Sequence, residues 1–102
     1  MQKLVRAYNE DKIAYYHGRL VKCDRCGHLG LCDWHHVRGR AGTLLFDARF
    51  RKDICRNCHI WIGNNPFDAR EAGLICERGF WGAAPKDEVT EEIRQRMIEI
   101  CK

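Results

Sequence analysis

"CRNCHIWIGNN", residues 55–65, opens on two cysteines two residues apart and follows the second directly with His59. A two-residue spacer lets a tight turn present both thiolates of such a pair to one ion. Ile60, Trp61 and Ile62 then supply apolar side chains. The segment predicts one short helix that begins near the cysteine pair and packs Ile60 and Ile62, or Trp61, inward. A matching pair, Cys23-Asp-Arg-Cys26, lies upstream in "GRLVKCDRCGHLG", residues 18–30. That segment predicts a short strand running into a knuckle whose glycines let the backbone fold around a bound ion.

Zinc prefers four ligands in a tetrahedron, so two pairs close its shell and leave no open position. Cys23, Cys26, Cys55 and Cys58 therefore read as a structural Zn²⁺ site joining the knuckle to the later helix. A mixed site that recruits His28 or His35 is the alternative. A redox C-x-x-C needs a thioredoxin-like βαβ setting around a single motif, and this chain has two. Cys32, Cys76 and Cys101 are left over as small buried or half-exposed thiols.

Seven cysteines in 102 residues mean disulfides in an oxidising compartment or metal ligation in a reducing one. "MQKLVRAYNEDKIAYY", residues 1–16, has no apolar stretch fit for a signal-peptide core, and no run in the chain is long enough to span a membrane. The expectation is a cytoplasmic protein with reduced thiols and no membrane partner. The length fits one domain and is too short for two independent cores. Aliphatic residues are sparse, so the core is small and a metal staple would support it.

The formal charge of +4 is unevenly placed. Between His36 and Arg56 the bases Arg38, Arg40, Arg49, Arg51, Lys52 and Arg56 face only Asp47 and Asp53, whereas acids predominate from Lys86 onward. A basic centre points to a polyanionic partner, with a solvated charged loop as the plain alternative.

Four further elements follow from pattern. Residues 2–17 carry Leu4, Val5, Tyr8, Ile13 and Tyr16 at helical spacing. "LVKC" and "CDWHHV" read as two short strands able to form a hairpin. In "NPFDAREAG", Asn65 is a candidate N-cap, Pro66 the first helical residue and Gly73 the stop. Val89, Ile93, Met97 and Ile100 recur at helical spacing and predict a last helix from about Pro85 to Cys101. "RGRAGTLLFDARFRKDI" gives mixed signals and reads as a long loop with a short extended or helical piece.

If four cysteines saturate one zinc, His35, His36 and His59 are free, and the zinc brings the helix carrying His59 towards the segment "CDWHHVRGR" (residues 32–40). C-x-x-C, then His35-His36-Val37 with basic residues after it, then C-x-x-C-His59, resembles the HNH nucleases. The resemblance covers roughly residues 19–64. It extends more loosely into "RGRAGTLL" and "HIWIGNNPFDAREAGL", which look like segments of small phage-encoded HNH proteins. It implies an α+β fold: a ββα-metal, treble-clef-like core over 19–64, with an N-terminal helical extension over 1–18 and a C-terminal helical region over 65–102.

The resemblance also implies roles. His35 and His59 would hold a catalytic divalent metal such as Mn²⁺, Ni²⁺ or Mg²⁺, and His36 would be the general base that activates water. Such a metal can bind the scissile phosphate while a neutral imidazole opposite takes the proton from the attacking water. Where the family usually has its middle Asn, this chain has Phe50, Arg51, Lys52 and Asp53, so Asp47 is the candidate to orient His36, with a turn-forming Asp as the equal alternative. The position one helical turn after His59, a third ligand in some relatives, is Gly63. A regular strand aims neighbouring side chains at opposite faces, so this division of labour predicts a turn between His35 and His36.

The function expected on these grounds is a metal-dependent endonuclease that nicks DNA or cleaves it with weak specificity. Arg38, Arg40, Arg49, Arg51 and Arg56 would hold the DNA backbone. The setting would be the cytoplasm of a bacterial or phage-infected cell. The alternatives are a non-catalytic zinc-stabilised nucleic-acid-binding module, and an adaptor whose C-terminal helix docks on a larger phage or host protein complex.

Overall fold

In the computed structural model, which describes residues 2–40, 42–77, 81–82 and 90–102, the chain begins with helix α1 (Gln2–Tyr16). Strands β1 (Val21–Lys22), β2 (Leu29–Gly30) and β3 (Cys32–His36) follow, then two 3₁₀ turns (Gly42–Phe46 and Ala48–Phe50) and strand β4 (Arg51–Cys55). Helices α2 (Arg56–Asn64), α3 (Pro66–Glu71) and α4 (Glu91–Ile100) complete the described elements. The architecture is mixed α+β, with two small antiparallel sheets.

Strand pairing departs from the expected hairpin. β1 pairs with β2, and β3 pairs with β4 in a ladder that sets Cys32 opposite Cys55, His35 opposite Lys52 and His36 opposite Arg51. The β1–β2 ladder is used up locally in closing the knuckle, where Cys23 N–H donates to the His28 carbonyl and Gly27 N–H to the Cys23 carbonyl, both at 2.9 Å. Gly27 makes this turn with φ +75, a left-handed conformation that a side chain would strain. The five residues of β3 need a longer partner, and "RKDIC" supplies it. The mixed signals of residues 38–54 thus resolve into 3₁₀ turns followed by a strand.

The β3–β4 pair divides the core in two. On one side Ile54, Cys23, Cys58, Ile62, Ala69 and Leu74 form a cluster, with Trp61 packed at its margin while Ile60 is exposed. On the other, Trp34 packs with Tyr8 and Leu45 against Leu4, Tyr16 and Phe46. Burying a side chain such as Ile54 contributes about 1.5–3 kcal/mol, so the two clusters formed among the described residues, with Leu44 buried beside them, leave little reserve. α1 is pinned across the sheet by polar contacts as well. The Tyr15 and Tyr16 hydroxyls donate to the two Asp53 carboxylate oxygens at 3.1 and 2.8 Å. Asp53 N–H in turn donates to the Asp24 carboxylate at 2.7 Å, which joins β4 to the knuckle.

The later helices follow their punctuation with two shifts. α3 starts at Pro66 and is followed by Gly73 at φ +77, as its sequence predicts. Asn65 does not cap it through its side chain; Asn65 Nδ2 instead donates to the Trp61 carbonyl at 3.0 Å and closes α2. α4 begins at Glu91, where the Thr90 hydroxyl accepts from Ile93 N–H at 3.3 Å. The stretch 85–89 of the expected last helix, with Val89, lies outside the described residues. α4 rests on α1 and the first 3₁₀ turn, and Arg96 pairs with Asp11 at 2.8 Å.

Candidate functional site

The cysteine cluster is built from three elements. Cys23 and Cys26 flank the knuckle turn, Cys55 ends β4 and caps α2, and Cys58 lies in the first turn of α2. Their four Sγ atoms all lie within 4.8 Å of one another, and neither His28 nor His35 is in the group. Zinc–sulfur bonds of about 2.3 Å place tetrahedral sulfurs about 3.8 Å apart. Cys26 and Cys55 Sγ, at 3.9 Å, match that edge and are too far apart for a disulfide. The donor set suits a structural metal such as zinc.

The surroundings favour a thiolate at Cys23, whereas burial pushes the Cys58 thiol up to about 12. Burial raises the Cys23 thiol, but backbone N–H groups of Cys26, Cys55 and Arg25 outweigh it and bring it down to about 6. Arg25 spans the site: its guanidinium lies 3.5 Å over the Trp61 ring and donates to Cys58 Sγ at 3.4 Å. A cation held there offsets the negative charge that four thiolates leave around a divalent ion.

The two adjacent histidines occupy a regular strand. No turn separates them: the ladder runs through His36, and Val37 N–H still donates to the Phe50 carbonyl at 2.8 Å. The expected turn between His35 and His36 is therefore overturned by the continuing β3–β4 pairing, and the chain bends only after His36. The side chains accordingly diverge. His36 faces α1, with its ring 5.4 Å from that of Tyr8. His35 faces α2, with its ring 5.2 Å from that of His59.

Both nonetheless reach one cavity of about 290 Å³, lined by Asp33 to His36, by Tyr8 and Lys12 from α1, by His59 from α2, and by Gly39, Arg40 and Trp81. The lining takes consecutive residues of β3 and none of β4, so the cavity runs along the edge of β3 that β4 leaves free. A strand edge between two helices is accessible to side chains from either face, so no turn is required.

Burial tunes both rings. His35 Nε2 lies 2.6 Å from the Leu74 carbonyl. A carbonyl only accepts, so Nε2 carries the proton and Nδ1 keeps the lone pair that a metal would need. Burial lowers His35 below its ordinary value, against the opposing effect of the Leu74 carbonyl. Burial also lowers His36, and the nearby Arg40 and Arg51 charges add to it, so that it falls to about 4 against the opposing Leu45 carbonyl. His36 Nε2 is buried with no hydrogen-bond partner. At neutral pH both rings are neutral, the form that can ligate a metal or accept a proton.

The remaining candidates are placed unevenly. Asp47 is buried, but its carboxylate accepts from Arg49 N–H at 3.1 Å and from the Arg49 guanidinium at 2.9 and 2.6 Å. It caps the second 3₁₀ turn, which is the turn-forming alternative rather than the orienting role for His36. Among the five arginines expected to hold DNA, only Arg40 lines the cavity. Arg49 is engaged by Asp47, Arg51 lies 3.7 Å over Trp34, Arg38 lies over Phe50, and Arg56 is exposed at the start of α2.

Several lining residues, Tyr8, Lys12 and Trp81 among them, are not legible as such from sequence. The Tyr8 ring lies beneath two cations, Arg40 at 4.8 Å and Lys12 at 5.6 Å, and Lys12 also pairs with Asp33 at 3.2 Å. The helical spacing of Tyr8 and Lys12 puts both on one face of α1, which was the available signal.

Among the described residues, no helix is long and apolar enough to cross a membrane. Comparison with protein-family models, with curated proteins and with solved structures finds no match to this chain.

Proposed function

We propose that this chain is a metal-dependent endonuclease of the HNH type, which hydrolyses DNA phosphodiester bonds by nicking or weakly specific cleavage. The observation that carries the reading is the shared cavity. A buried neutral imidazole with an unpartnered Nε2, His36, lines the same space as the His35–His59 pair and the cations of Arg40 and Lys12. The succession β3, β4, α2 supports it too, because it has the ββα order that the resemblance implies, with the cysteine cluster tying the α2 start to the knuckle.

Each residue then has a task. His35, with Nε2 occupied by the Leu74 carbonyl, and His59 would hold a divalent cation. That cation would supply charge neutralisation at the scissile phosphate and the leaving oxygen. Arg40 and Lys12 hold the phosphate by charge, steadied over the Tyr8 ring. His36 takes the proton from the attacking water, and burial beside Arg40 and Arg51 keeps its ring in the neutral, accepting form at neutral pH.

A second reading has its own support. Among the described residues no third His, Cys, Asp or Glu groups with His35 and His59, which favours a zinc-stabilised module that binds nucleic acid without cutting it. Relaxation of supercoiled plasmid by the zinc-loaded chain separates the two. The nuclease reading expects nicked circles on adding Mn²⁺ or Ni²⁺ and none with chelator; binding without nicking under every divalent metal favours the module.

A further inference from the structure

Trp81 is the most exposed of the three tryptophans, with 62% of its surface accessible, and it lines the cavity that holds the histidines. The other two have covered faces. Trp34 is buried beneath Arg51 and packs against Tyr8, Tyr15 and Tyr16, and Trp61 lies under Arg25. Among the described residues no ring or cation stacks on Trp81.

Its position is nevertheless fixed. Gly82 N–H donates to the Arg38 carbonyl at 2.6 Å, which ties the segment to the basic loop. The indole rests against Gly39, where an added Cβ would come within 3.2 Å of Cε2 and 3.4 Å of Nε1. Gly39 has φ +93, so backbone and contact both call for a residue without a side chain. The result is a large, exposed aromatic surface at a cavity lined by Arg40 and by the Lys12–Asp33 pair.

We propose that Trp81 is a stacking platform for an unpaired base, and that the site therefore prefers single-stranded DNA, or a strand end, gap or flap, over continuous duplex. This rests on the nuclease reading for the site but concerns the form of its substrate. In a duplex both faces of each base are covered by its neighbours, so an indole beside the backbone has no base face to meet. An unpaired nucleotide presents both parts that the cavity matches: a phosphate for Arg40 and Lys12, and a free π-face for Trp81. A cavity of about 290 Å³ has the size of one nucleotide rather than of a double helix.

The test uses the zinc-loaded full chain without a second divalent metal, so that binding is read apart from cleavage. Binding of an end-labelled oligothymidylate and of an end-labelled blunt duplex is read by fluorescence anisotropy on wild type, Trp81→Ala and Trp81→Phe proteins of matched melting temperature, with tryptophan emission followed on wild type. The single strand is expected to quench wild-type emission and to bind more tightly than the duplex. Trp81→Ala should lose about tenfold in affinity for the single strand with duplex binding unchanged, and Trp81→Phe should recover most of it. Equal affinity of the two DNA forms, or unchanged single-strand binding by Trp81→Ala, overturns the proposal. Plasmid nicking without Trp81-dependent binding would overturn this inference alone, and Trp81-dependent binding without nicking would overturn only the nuclease reading.

Discussion

The His35 and His59 rings meet edge to face with centroids 5.2 Å apart, one from the next-to-last position of β3 and the other from the first turn of α2. What brings them together is the β3–β4 ladder, which sets Cys32 opposite Cys55 where α2 begins, while the cysteine cluster holds that start of α2 near the knuckle. Two imidazoles suit Mn²⁺, Co²⁺ or Ni²⁺ better than the hard, oxygen-seeking Mg²⁺. Cleavage is expected to be faster with Mn²⁺ or Ni²⁺ than with equal Mg²⁺. His35→Ala should shift the metal titration to higher concentration, with part of the activity returning at saturation. A marked Mg²⁺ preference would move the site to oxygen donors such as Asp33.

The cysteine site is expected to behave as part of the fold. With small clusters for a core among the described residues, metal-binding energy on the order of 10 kcal/mol is as large as the whole stability of an ordinary domain. Cys55→Ser, or strong chelation, should abolish the cooperative melting transition. Retention of wild-type circular dichroism and melting temperature after verified metal removal contradicts this.

How much of this was readable beforehand depended on the range of the interaction. The C-x-x-C pairs were legible because their chemistry is local, each needing only a two-residue turn. The face-to-face placement of His35 and His59 followed once the cysteines were joined. The partner of β3 was not legible, because "LVKC" and "RKDIC" are both plausible strands and only closure of the knuckle excludes the first. Asp47 was ambiguous for a similar reason. Its neighbour Arg49 takes both carboxylate oxygens, and sequence does not reveal that choice. The roles of Tyr8, Lys12 and Trp81 depend on contacts between distant segments, which periodicity does not encode.

Stability should fall on the acid side in a way traceable to His36. Its folded value of about 4 lies below the ordinary 6.5. Above about pH 6.5 the ring is neutral in both states and its contribution is fully present. As pH falls towards 4 the unfolded chain takes up a proton that the folded one refuses, and stability is lost by up to roughly 3 kcal/mol. His36→Asn should melt with a shallower dependence on pH between 6.5 and 4, at constant zinc. Parallel slopes for the two proteins would mean that the ring is not held neutral by burial.

Arg40 is expected to matter more for DNA than Arg49 or Arg51, since it alone of the three lines the cavity. Arg40→Gln should weaken binding and reduce its salt dependence, while Arg51→Gln should lower the melting temperature by losing its stacking on Trp34. Filter binding across a salt series, paired with thermal melts, reads both. Equal binding losses for the two variants would indicate a diffuse basic surface instead.

Whether His36 is the base of a phosphodiesterase site is read from the single-turnover nicking rate of His36→Ala at saturating Mn²⁺, with protein cleared of contaminating nuclease. The expected variant is folded and zinc-loaded, binds DNA nearly as wild type does and cuts at least ~10²-fold more slowly, the loss typical of removing a general base. Wild-type nicking by folded His36→Ala protein would contradict that role and leave this chain as a zinc-stabilised binding module.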